Sequence, residues 1–517
     1  MFLFLSLASS QGLGSSSVQG AFGAVTIDGK IWNQVALRPI IPIGKVSVAL
    51  DIVFYIDQDG NIHDDEWDFS DGKKSKNSII DKIYYIRYGK KWDPFYFQVG
   101  ALDNVTLGKG ILVNRYTNTI LYPQVRKVGM DIKFKVSGFN FYGFTNDFKE
   151  NLGLTGFRVS KNIINGINIG GSLVADRNQY LGLRDSDNDG RPDLVDDFPD
   201  DPLYWLDTDG DGIADVDPNE LDIDGDGVTD TLDSNIPGWD LDSIYVLDTD
   251  IMRKPEPLNV QNRKRSIYAV SLDASKTILA ESNMSVSIYA QFASLIGKTV
   301  DPISAEEVSL GNGFIPFGLS TKLGPARFKF EYRMMPSGKF EFGYWDRSYE
   351  IERATFSSSF MNDNSGLRTG EIITKDSRLG KFGKQKGYFS TLSIDLGEMV
   401  GASMSYQNLF GEQWNENENN FNNDRNQSFI AGIRLKKPIS KITNARWYYQ
   451  QRNVPNPFDF EFTESTISGY RVGIKLGNGM ILNYIFRQSF RDIDGDGKVN
   501  GKDETINMTS IETSFSF

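Results

Sequence analysis

The sequence predicts an all-β fold, a transmembrane antiparallel β-barrel of about 20 strands (16 to 22), and three observations carry that prediction. Segments that alternate apolar and polar residues recur along most of the 517 residues. Tight turns join these segments in pairs, while the alternate connections are long and polar. After the N-terminal segment no run of about 18 or more apolar residues occurs, which excludes helical membrane spans and leaves a closed barrel as the one way to cross lipid.

Composition agrees. Aromatics make up 13 % of the chain and Gly contributes 50 residues, a β-rich and turn-rich balance. With no Cys, a disulfide framework and thiolate metal sites are excluded. The single His, His63, stands beside Asp64 and Asp65, where a solvated side chain is expected. No GxSxG elbow, P-loop or HExxH is present, so an enzyme is not expected. Met1 to Ser10 (MFLFLSLASS) is a short apolar run with Ala8 and Ser10 at signal-peptidase spacing before Gln11, and it reads as a signal peptide remnant over 1–10.

A lipid-crossing strand needs about 9–11 residues with apolar side chains facing out and polar or small ones facing in. Val128, Met130, Ile132, Phe134 and Val136 alternate with Gly129, Asp131, Lys133 and Lys135. Phe328, Phe330 and Tyr332 alternate with Lys329, Glu331 and Arg333. Phe429, Ala431, Ile433 and Leu435 interleave with Gly432 and Arg434, and Tyr470, Val472, Ile474 and Leu476 with Arg471, Gly473 and Lys475. Charges at every second position are costly in a packed core and suit a water-filled lumen. Tight turns are expected at Ile41–Lys45, Lys90–Asp93, Ser137–Gly138, Asn162–Gly166, Glu281–Asn283, Leu323–Pro325, Glu398–Val400, Lys437–Ser440 and Gly477–Gly479. Roughly nine such turns plus two terminal strands give the count of about 20, with the short connections near Asp28 and Lys149 leaving it open by two pairs.

At the end of the sequence Ile511, Thr513, Phe515 and Phe517 alternate with Glu512, Ser514 and Ser516. This aromatic finish resembles the terminal strand of Gram-negative outer-membrane proteins, and the chain is thus similar to porin-like barrels. The resemblance implies an integral place in the bacterial outer membrane, contact with lipid and lipopolysaccharide, recognition of the C-terminal strand by the barrel-assembly machinery, and passage of small solutes. No single porin family is identified. The barrel is expected over 11–517, with an Asp-rich loop inserted at 177–264.

That loop differs in composition from everything around it. Between Asp185 and Asp250 lie roughly 22 Asp and one Glu against one Arg, so the rest of the chain carries about +9 although the whole carries −13. Asp185, Asp187, Asp189, Gly190, Arg191, Asp193 and Asp196 occupy positions 1, 3, 5, 6, 7, 9 and 12 of a calcium loop. Asp222, Asp224, Asp226, Gly227, Val228, Asp230 and Asp233 repeat that spacing. Asp207, Asp209, Asp211, Gly212, Ile213 and Asp215 do so up to position 9, with Pro218 at position 12 and Asp217 beside it. A hard cation takes several oxygens, which alternate aspartates in a tight turn supply together with the carbonyl of position 7. A fourth copy, Asp492, Asp494, Asp496, Gly497, Lys498, Asn500 and Asp503, precedes the last strand. It resembles an EF-hand or dockerin loop, and the central copies resemble thrombospondin type-3 repeats, which implies bound Ca2+. Asp at position 12 in place of a bidentate Glu implies weak, millimolar sites. Asp57, Asp59, Asn61, Asp64 and Asp68 form a degenerate further copy with Ile62 at the Gly position.

Two functions follow. One is a porin-like channel for small solutes with calcium-stabilised extracellular loops, in which an excess of lumenal Lys and Arg favours anions. The segment Pro336–Lys386, with Phe340, Phe342, Tyr344, Trp345, Arg347, Tyr349 and Arg353, is placed to fold inward as a constriction or to pack at the surface. The alternative is a calcium-dependent surface structural or adhesive protein anchored by the barrel. Neither calls for a nucleic-acid partner.

Overall fold

The computed structural model describes residues 17–516 except 28, 64–66, 92, 124, 165, 226, 228, 231–252, 262, 361–367, 416–417, 478, 492–498 and 500–503. The expected signal remnant and Phe517 lie outside the described residues, as do Asp226, Val228, Asp233 and the copy formed by Asp492, Asp494, Asp496, Lys498, Asn500 and Asp503.

The strands run in chain order as β1 (Ser17–Ile27), β2 (Lys30–Ile43), β3 (Val46–Leu50), β4 (Ile52–Ile56), β5 (Ile83–Tyr88), β6 (Phe95–Gly100), β7 (Gly129–Val136), β8 (Phe139–Thr145), β9 (Leu154–Asn162), β10 (Ile167–Asp176), β11 (Ile267–Ala280), β12 (Met284–Ile296), β13 (Lys298–Val300), β14 (Glu307–Ser309), β15 (Asn312–Leu323), β16 (Ala326–Met335), β17 (Ala354–Phe360), β18 (Arg368–Thr374), β19 (Phe382–Leu396), β20 (Val400–Asn415), β21 (Asn420–Leu435), β22 (Ile442–Val454), β23 (Ile467–Gly477), β24 (Met480–Phe490) and β25 (Thr505–Ser516). All but β13, β14, β17 and β18 belong to one antiparallel sheet, in which neighbours in sequence pair in turn. The first and last strands close it, from Gln19 opposite Ser516 to Val25 opposite Ser510. The 21-stranded sheet is a barrel of 20 strands, because β3 and β4 both pair with β2 and are halves of one interrupted strand.

The interruption falls at Asp51, whose buried carboxylate takes Arg38 at 2.7 Å and Arg126 at 2.9 Å. Beyond it the edge of β4 is covered from outside by Trp67, which stacks on Phe54 and donates to the Val53 carbonyl at 2.8 Å. An open strand edge is thereby protected.

All nine expected tight turns are present, and antiparallel order puts them at one end of the barrel. The short link at residues 28–29 and the connection 146–153 fall at the other end, with every long connection. Inward and outward faces follow the predicted alternation. Phe328, Tyr332, Ile433, Tyr470, Ile474 and Ile511 are exposed on the outside, whereas Asp131, Glu331, Arg333, Arg471 and Glu512 are buried inside. Val128 departs from it: it precedes β7 and is buried, so the apolar face of that strand begins at Met130. Aromatic pairs such as Tyr88 with Phe95 (5.4 Å) and Phe134 with Phe141 (4.8 Å) stand outside near the tight turns, where interfacial girdles are found in membrane barrels. Among the described residues no helix is long and apolar enough to cross a membrane.

Candidate functional site

Two long connections enter the barrel and meet there. In residues 101–128 the run Ile111–Val113 is apolar without alternation, so it has no polar face to give to water. It lines up with residues 343–345 of the segment 336–381. Gly343 N–H donates to Ile111 O at 2.8 Å, Trp345 N–H to Leu112 O at 3.1 Å, and Asn114 N–H to Trp345 O at 3.0 Å. Val113 and Trp345 form a parallel bridge. Phe340, Tyr344, Trp345 and Tyr349 are fully buried and pack with Val174, Ile267, Ala269, Ala293 and Leu295 from the inner wall. Pro336–Lys386 thus folds inward at its aromatic cluster, and the inner wall is apolar at that depth instead of polar throughout. The part played by residues 101–128 is absent from the sequence expectations, although the unbroken apolar triplet inside a polar connection is a readable signal for it.

Buried ion pairs hold this plug together and tie it to the wall. Arg353 donates to Asp176 through Nε (2.8 Å) and Nη2 (2.9 Å) and to Glu150 through Nη1 (2.8 Å). Lys127 meets Glu350 at 2.6 Å and also Glu150. On the other flank Lys375 pairs with Glu352 (2.6 Å) and Glu341 (3.3 Å), and Arg452 with Asp346 (2.6 Å) and Glu341 (2.7 Å). Such pairs are retained where both partners are satisfied, because a lone buried charge is far costlier than the pair. Burial alone pushes the Glu352 carboxyl up, but Lys375 and Arg452 outweigh it and hold the group at about 2. In Glu150, Arg353 and Lys127 overcome the same penalty.

Between the plug and the tight-turn end lies a cavity of about 560 Å3. Nine Lys and Arg side chains line it, Lys109, Arg115, Arg327, Arg347 and Arg434 among them, against Asp346 and Asp395. Some of this charge is neutralised, since Lys329 and Arg333 share Glu331 at 2.6 and 2.5 Å. The remaining excess gives the space a positive potential that low-dielectric walls concentrate.

The Asp-rich insert connects β10 to β11 at the opposite end from the tight turns. Its copies share one local design. The position 1 carboxylates of Asp185, Asp207 and Asp222 accept from Gly190, Gly212 and Gly227 N–H at 3.1, 2.9 and 2.9 Å. These glycines have φ of 99°, 95° and 92°, which only Gly adopts freely. Asp189 and Asp211 accept from the position 7 N–H of Arg191 (2.6 Å) and Ile213 (2.7 Å). Asp193 and Asp215 turn back to the loop start, each taking an N–H and a hydroxyl from Ser186 or Thr208 at 2.8 Å, so both their oxygens are engaged in closing the loop. Asp230 accepts from Ile223 N–H at 3.0 Å in the same way.

Asp185, Asp187 and Asp189 bring carboxylate oxygens within 4.8 Å of one another, and so do Asp207, Asp209 and Asp211. In the first copy buried oxygens of Asp185, Asp187 and Asp196 have no hydrogen-bond partner, and in the third the same is true of Asp222 Oδ1. Burial, opposed by the Phe198 N–H and reinforced by Asp189 and Asp187, pushes the Asp196 carboxyl up to about 6. An all-oxygen set with orphaned buried carboxylates fits a hard divalent cation. Asp224 lies in the third copy, of which Asp226, Val228 and Asp233 are outside the described residues. In the degenerate copy Asp57 is used by Asn61 (2.7 and 2.9 Å) and Asp68 by Lys74 (2.9 Å), so these groups form a turn and an ion pair. His63 sits edge-on to Trp32 with ring centres 4.8 Å apart.

No family model matches the chain, and no curated protein does. Among solved structures it is similar to Pseudomonas aeruginosa OccK10 (OpdN), at 7 % identity and TM-score 0.35 over 98 % of this chain and 99 % of that one. It is also similar to P. aeruginosa OccK5 (OpdH), at 8 % and 0.33 over 97 % of each chain, and to Acinetobacter baumannii OccAB4, at 9 % and 0.32 over 97 % of each. The barrel assignment itself rests on the closed strand register.

Proposed function

We propose that the chain is a non-enzymatic channel of the bacterial outer membrane that passes small solutes and favours anions. The basic cavity beneath the plug is the observation that supports this reading: its charge excess lies on the lumen side, where a permeating solute would meet it, and it attracts anions by simple Coulomb focusing. On this reading the insert lies outside the cell and holds Ca2+ at the aspartate copies, where the ion bridges lipopolysaccharide phosphates. Orphaned carboxylates of the first copy support the calcium assignment.

A second reading has its own support. The apolar plug packs against the inner wall, as it would in an anchor whose working part is the calcium region. Planar bilayers separate the two. Purified full chain is expected to give discrete conductance steps that persist when Asp185–Asp250 is deleted. Membrane insertion without conductance would overturn the channel and leave the anchored surface protein.

A further inference from the structure

A second cavity, of about 100 Å3, lies at the seam where β25 closes on β1, between β22–β25 and the inward connection 101–128. That is room for about seven to ten water-sized positions, enough for a small ion or acid and too little for a chain segment. Five arginines line it, Arg38, Arg347, Arg446, Arg471 and Arg487, against Asp103 and Glu512. Glu512 is already committed, taking Arg38 at 2.7 Å and Gln34 at 2.9 Å through one oxygen. Arg38 is further held by Asp51 at 2.7 Å.

Arg471 is different. It is only 7 % exposed, yet its Nε and Nη2 are buried with no hydrogen-bond partner. These are two of the donors with which a guanidinium grips a planar or tetrahedral oxyanion. Leaving buried donors of a charged group unsatisfied is costly, and here the group lines a cavity whose other cations, Arg38 and Arg446, add to the cost. Ile120, Tyr122, Pro123 and Met508 are among the further lining residues and make part of it apolar, which strengthens whatever charge pairing occurs inside.

We propose that this seam cavity binds a small oxyanion, a carboxylate or a phosphate, with Arg471 as its main ligand and Arg487 and Arg347 adding charge. Arg347 and Arg446 line both this cavity and the large basic one, so the ion enters from the lumen. The site stands whether or not the barrel conducts, because it follows from the seam and the unsatisfied Nε and Nη2 of Arg471 alone.

Calorimetric titration of the full chain in detergent, at fixed ionic strength, tests it with inorganic phosphate, acetate and uncharged acetamide. Saturable one-to-one heat is expected from phosphate or acetate, the tighter of the two naming the head group, and none from acetamide. Arg471→Gln should weaken binding about tenfold or more, the effect of losing charge-assisted hydrogen bonds, while Lys73→Gln at the surface leaves it unchanged. Heat-modifiable gel mobility checks that each variant is folded, and Arg487→Gln reads the same cavity if Arg471→Gln does not fold. Absence of saturable heat with either oxyanion, or unchanged affinity in the folded variants, would overturn the proposal.

Discussion

Glu352 and Glu150 are small groups with a large responsibility, since Glu352 holds the inward segment together through Lys375 and Glu150 joins that segment to the connection 146–153 through Arg353. Both lie outside the spanning strands, and their cationic partners hold both at about 2, below the ordinary 4.5. A carboxylate with a depressed folded value stabilises the fold fully above its unfolded value, and that contribution is lost as pH falls through the folded one. Acidification from about 4.5 towards 2 should therefore loosen the inward segment. Limited pepsin digestion is expected to open cuts within 336–353 over that window, and protection that persists at its acid end would contradict the assignment. Arg353→Met should produce the same release at neutral pH, because it strands Asp176 and leaves Glu150 to Lys127 alone; removing one partner of a buried pair costs about 3–5 kcal/mol. Neither network was legible beforehand. Asp176 and Arg353 are 177 positions apart, and no local pattern announces that they meet.

At the level of elements, legibility tracked how local the determining physics is. The alternation in β16 and β23 and the nine tight turns depend on neighbours in sequence, and all were read correctly. The break between β3 and β4 depends on Asp51 meeting Arg126, a contact that sequence spacing does not reveal. The inward fold of 101–128 depends on backbone pairing with 343–345. The aspartate copies are local again, and the placement of Asp185, Asp187 and Asp189 follows their spacing closely. Asp193 and Asp215 are spent on loop closure, which the shared position 9 does not disclose by itself. Calcium at these copies should protect the insert from chymotrypsin, which cuts after Tyr204 and Trp205, relative to chelator, and Asp189→Asn should reduce that protection. Cleavage between residues 185 and 230 that is indifferent to calcium would remove the metal from the account, with barrel gel mobility unchanged either way.

For the whole molecule, charge is segregated along the barrel axis: an acidic insert at the end with the long connections, an apolar plug below it, and a basic cavity towards the tight turns. The formal charge of −13 hides this arrangement, since the insert alone outweighs a positive remainder. A solute crossing the barrel meets the basic zone last or first according to direction, and in either case that zone sets which ions are concentrated. The most direct test is the reversal potential of purified full chain in a planar bilayer under a KCl gradient. The basic cavity predicts a shift towards the chloride equilibrium potential, reduced by Arg115→Gln with Arg434→Gln. A shift towards the potassium potential would contradict it.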